Sequence, residues 1–223
     1  MRLRLEHNAP CSWCAVYFYS SASSLQLRDL DRELMPSLFN ERRAAESAAL
    51  LLHKAGGTLP LIKLVKLMYL AERLSLQRYG EPLTGDRLVS MDHGPVLSRT
   101  YNHINGAVPS AEGGWETWIS DREGHAVALR DPSMIRSAEQ DLQSLSESDV
   151  EVLTETWTNF GHWGRWELVK YTHDECPEWE DPSGSSKPIS YERLFGALGY
   201  SDDAAKALVE RLSEQEQLSA SFA

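Results

Sequence analysis

Cysteine, positive charge and long uncharged apolar runs are all scarce in this 223-residue chain. The three cysteines, Cys11, Cys14 and Cys176, are odd in number, with Cys176 far from the other two, which is no disulfide framework. Cys11 and Cys14 supply half of a structural zinc site, but no second cysteine or histidine pair follows at suitable spacing. They read as an incidental pair. No run of eighteen uncharged apolar residues occurs, because the most apolar stretch, 59–76, is broken by Lys63, Lys66, Glu72 and Arg73. The basic start at Arg2 and Arg4 is followed by an apolar run, 15–19, too short for a signal-peptide core. No membrane partner is expected, and the protein is expected in the cytoplasm.

Basic residues number 22 against 33 acidic ones, a net charge of -11. Residues 1–34 balance at zero, residues 35–137 carry a single excess positive charge, and residues 138–223 hold a balance of -12. Such a field repels phosphate backbones and speeds the encounter of basic partners, while also serving plain solubility. Nucleic acid is therefore not an expected ligand, and no basic recognition helix is evident.

Along the chain, residues 1–34 lack a sustained helical or strand period and read as an N-terminal arm, with 35–223 as the folded domain. Met35 stands directly before the patterned region and is a candidate native start. Helical spacing with Asn40 as N-cap and Gly56-Gly57 as stop predicts a helix over 40–55. A second, more apolar helix is predicted over 60–79, ended by Gly80, and belongs at the centre of the fold. A loop and short strand follow over 81–91, and Pro95 is expected to open a short helix reaching toward Ile104. The alternation of Trp115, Thr117 and Ile119, then a turn and residues 126–129, predicts a β-hairpin. Helices are expected over 134–145, from the Ser146 cap, over 164–175, around 191–198 and from Ser201 to about Glu216. The fold class is mainly α, a compact helical domain with a small β-hairpin or minor sheet.

Four pieces of sequence occur in a telling order: residues 63–73 (KLVKLMYLAER), Tyr79-Gly80, Leu83-Thr84-Gly85-Asp86 and His93-Gly94-Pro95-Val96. Downstream come Tyr171-Thr172-His173 and Pro177-Glu178-Trp179. Together they resemble the Panacea, or SocA-like, antitoxin domain over residues 38–200, with Met68 and Glu72 replacing the commoner Leu and Asp. The resemblance implies a helical antitoxin, associated with phage defence, that neutralises a toxin by direct protein contact. The cognate toxin is expected from an adjacent gene. In some members the implied role is an adaptor that delivers the toxin to a Clp-type protease, for which the tail 215–223 is a candidate segment. Catalysis and cofactors are not implied.

Motif residues Lys66, Tyr69, Gly80, Gly85, Asp86, Gly94, Pro95, Val96 and His173 read mainly as scaffold, since glycine and proline most often serve the backbone. Gly94-Pro95 also offers a run of backbone N–H groups near a helix start, able to receive a carboxylate. Asp92, His93, Arg99, Tyr101, Trp163 and Trp179 are the candidate toxin contacts, from the loop-helix at 92–101 and the aromatic, acidic region at 162–181. Trp157 and Trp166 lie on apolar helical faces and are expected in the core. His173, Glu175 and Cys176, with His162, were the nearest approach to a metal set, but His173 reads better as sharing the buried face of Trp166 and Val169; no metal is expected. His93 beside Asp92 lacks a nucleophile, and neither glycine doublet has a phosphate-loop sequel, so no enzyme activity is expected.

Overall fold

The computed structural model describes residues 38–221. The N-terminal arm, Cys11, Cys14, the Met35 start and the last two residues of the tail lie outside them. Helix α1 (Glu41–Lys54) begins where the Asn40 side chain accepts the Arg43 N–H at 3.1 Å, and its apolar face is alanine and leucine throughout. Small residues on that face let it lie close against α2 (Leu61–Tyr79), the central helix, whose Leu64, Leu67 and Met68 are fully buried. Gly80 ends α2 with φ of +64°, a left-handed cap that other residues adopt at a cost. Short strand β1 (Thr58–Pro60) joins the two helices.

Two small antiparallel sheets flank this pair. β2 (Leu88–Met91) and β3 (Gly94–Leu97) make a hairpin in which Val89 faces Val96, and β5 (Lys187–Pro188) adds to the other edge of β2. β4 (Ala126–Ala128) pairs with β1, Leu59 facing Val127. The remaining helices are α3 (Ser98–Ile104), the single turns α4 (Trp115–Trp118) and α5 (Ala138–Asp141), then α6 (Glu147–Phe160), α7 (Arg165–Asp174), α8 (Tyr191–Ala197) and α9 (Asp202–Ser221). α6 and α7 cover α2, and α9 packs on α8. At the start of α6, Ser146 and Asp149 exchange bonds in a reciprocal cap, the Ser146 N–H to Asp149 at 2.8 Å and the Asp149 N–H to Ser146 at 3.2 Å. The fold is mainly α with minor sheets, as the hydrophobic periods indicate.

Four local expectations are corrected. Residues 115–129 form only part of the expected hairpin: Trp115 to Trp118 is a helical turn, 126–128 pairs with β1 as well, and the pairing back is confined to bridges at Ile119–Leu129 and Glu123–Ala126. The Glu41 carboxylate, distant in sequence, takes the Trp115 N–H at 2.8 Å and so anchors that turn. Pro95 lies within β3 rather than opening a helix, and the chain turns helical only at Ser98. The predicted helix over 134–145 is reduced to a 3-10 turn and one α turn, because Asp131 and Asp141 bind nearby backbone N–H groups in competition with helix bonds. Trp166, expected in the core, is 54% exposed, and Trp157 is only partly buried.

Candidate functional site

The charged residues that interrupt the apolar run of α2 recur at helical spacing, and Lys66, Tyr69 and Glu72 with Arg73 make one polar stripe turned into the protein. Between them they bind three different motif segments. The Lys66 ammonium donates to the Pro95 carbonyl at 2.7 Å, fixing β3. Tyr69 and Arg73 both donate to Oε1 of Glu178, at 2.6 and 2.8 Å, fixing the segment after α7. Glu72 accepts the Thr84 N–H and hydroxyl, each at 2.8 Å, and the Gly85 N–H at 3.2 Å, fixing the loop before β2. The scattered pieces of the motif are thus the ends of one buried hydrogen-bond system.

Asp86 extends it. The first turn of α3 has no capping side chain of its own, and Asp86 reaches it from upstream, accepting the Arg99 N–H at 2.9 Å and the Thr100 N–H and hydroxyl at 2.7 Å each. The anion-receptive helix start expected beside Gly94-Pro95 is therefore displaced to Ser98 and already filled by this carboxylate. Gly85 is required here because a Cβ would run into the backbone of Leu38.

Burial governs the titration of these groups. Lys66 is pulled down to about 7, since its ammonium has lost water and faces one carbonyl. Burial pushes the Glu72 carboxyl up to about 7 against the bonds from Thr84 and Gly85, and it raises Asp86 as well. The Cys176 thiol rises to about 12, by burial and then by the adjacent Glu178. These carboxylates and the amine are spent on backbone groups and on the Thr84 and Thr100 hydroxyls, in the buried interior. Among the described residues no group of three or more His, Cys, Asp or Glu side chains is arranged to hold a metal.

What the system presents to solvent is the β2–β3 turn. Gly94 has φ of +93°, and a Cβ there would sit 2.7 Å from the Thr172 hydroxyl and 2.9 Å from the Lys66 nitrogen, so α2 and α7 grip the hairpin closely. The Trp179 indole donates to the Met91 carbonyl at 3.0 Å, the Glu180 N–H to Ser90 at 3.2 Å, and the Gly184 N–H to Asp92 at 3.3 Å. His173 stacks on Trp179 with ring centres 4.1 Å apart, half-buried and held neutral to lower pH by burial and by Lys66. Asp92 and His93 stand exposed at the tip, the His93 ring nearly perpendicular to that of Trp166 with centres 5.7 Å apart.

The structure thus brings Asp92, His93, Trp179, His173, Gly94, Pro95 and Lys66 together around one hairpin. Val96 is buried beneath it. Arg99 and Tyr101 lie on α3, which leaves the opposite end of the hairpin, Arg99 over the Phe39 ring at 5.4 Å. Trp163 packs against Phe160 and Tyr171, each 5.4 Å away. His173 shares the more buried side of α7 with Val169 but not with Trp166, which is more than half exposed. Glu72 and Glu178 escaped sequence reasoning as partners, although charges at helical spacing inside an apolar helix were a usable signal.

The family model described as "Antitoxin SocA-like, Panacea domain" matches residues 64–180, more than half of the chain and the whole of this network. The chain belongs to that family. It has no match among the curated proteins or the solved structures. Within the Panacea region, α2, the hairpin and α7 with its following loop carry the motif, while α1, α8 and α9 lie outside the match. No helix among the described residues is long and apolar enough to cross a membrane.

Proposed function

We propose that this protein is an antitoxin that neutralises a cognate toxin, encoded by the adjacent gene, by binding it directly and occluding its working surface. The observation that carries the reading is the family match over 64–180. The geometry supports it: the motif residues form an internal hydrogen-bond system that holds an exposed turn, an arrangement suited to presenting a surface. The turn at Asp92 and His93 is the leading contact, with Trp179 holding it from behind. Arg99, Tyr101 and Trp163, all partly buried, flank the surface rather than form its centre.

Co-expression tests the reading. The adjacent gene should arrest growth alone and be silenced by this protein, and the two purified products should elute as one complex. A neighbour that is harmless, or that stays toxic beside this protein, refutes it. Rescue repeated in cells lacking Clp-type proteases separates occlusion, which persists there, from delivery of the toxin for degradation, which is lost.

A further inference from the structure

Among the described residues, Trp166 is the one tryptophan left exposed. An exposed indole leaves on the order of 100 Å² of apolar surface in water. Trp115 and Trp118 are buried in the same chain, at 4% and 9% exposure. Arg165 lies 5.5 Å over the Trp166 ring and His93 meets it edge-on, so the indole is held in place while more than half exposed. A fixed aromatic ring with a polar rim is the anatomy of an interface anchor.

The rim has a sign. Asp174 and Asp181 both act electrostatically on His173, beside which His93 also lies, and Asp92 stands at the hairpin tip. All three aspartates are exposed. Asp174 is paired with Lys170 on the same helix, an exposed pair that a stronger partner can replace at little cost. The wider C-terminal part, residues 138–223, adds a balance of -12.

Resting on the antitoxin reading, we propose that Trp166 is the anchor of the toxin-binding surface and that the toxin meets it with a basic patch, an apolar contact on the indole ringed by Lys or Arg facing Asp92, Asp174 and Asp181. The acidic rim speeds encounter, and the indole holds the complex once formed.

The probe is the purified product of the adjacent gene, titrated against the full-length protein at several salt concentrations. Trp166→Ala weakens binding by about 30-fold or more while leaving the melting temperature unchanged, as expected for an exposed hot-spot residue. Asp174→Lys slows association by about tenfold and flattens its salt dependence. Binding by Trp166→Ala within twofold of wild type overturns the anchor and leaves the antitoxin reading standing. Association unchanged or faster in Asp174→Lys overturns the basic partner. No binding by the wild type overturns the antitoxin reading, and this surface falls with it.

Discussion

Replacing Lys66 by methionine isolates the energetic cost at the centre of the motif. Lys66 is 1% exposed and its ammonium donates to a single carbonyl, and burial brings its titration from 10.5 to about 7. Below pH 7 the folded and unfolded chains are both protonated there, and the full cost of the buried ammonium is present. As pH rises above 7 the folded chain releases the proton while the unfolded chain keeps it, so stability rises by about 1.4 kcal/mol per pH unit. From pH 7 to 9 the gain is about 2 kcal/mol, or about 4 to 8 °C in Tm for a domain of this size. Glu72 acts in the opposite sense, its stabilisation being lost as pH rises from 4.5 to about 7, and the Cys176 thiol opposes only above pH 9. The window from 7 to 9 therefore belongs mainly to Lys66. Lys66→Met keeps a long unbranched chain without the charge, at the cost of the Pro95 bond, about 1 kcal/mol. Urea denaturation followed by tryptophan fluorescence should give a wild-type curve that climbs across the window and a variant curve that does not. Parallel curves would refute the reasoning, because they would mean that the amine keeps its proton in the folded protein.

Three further substitutions test the same frame. Gly94→Ala should cost about 2 to 4 kcal/mol, from the left-handed backbone and the collision with Thr172 and Lys66, and should abolish protection against the toxin; a fully stable, fully protective variant contradicts the grip on the hairpin. Asp86→Ala should lower stability by about 3 kcal/mol in denaturant titration, since it strips the start of α3 of its only carboxylate and leaves buried N–H groups unpaired. Ser146→Ala should cost about 1 kcal/mol through the lost cap of α6 and leave toxin binding unchanged, which calorimetry and titration can check together.

Local pattern made much of the fold legible. The caps at Asn40 and Ser146 and the left-handed stop at Gly80 each depend on neighbours within four positions, and so they stand where the sequence placed them. Trp115 and Pro95 show where such reading ends. The Glu41 carboxylate holds 115–118 in a helical turn from the far side of the sequence, and pairing with β2 draws Pro95 into a strand. Trp166 satisfied a helical face on paper, but a face is buried only where another element arrives to cover it.

The motif residues divide in the same way. The sequence by itself determined that this is a mainly α chain with an acidic C-terminal part and an ordered set of Panacea-like segments. Tertiary structure decided why those segments belong together: Lys66, Tyr69, Glu72 and Arg73 face inward from α2 and take partners between 12 and 109 residues away. A buried polar group must find a partner wherever the folded chain provides one, and only the assembled core says where that is.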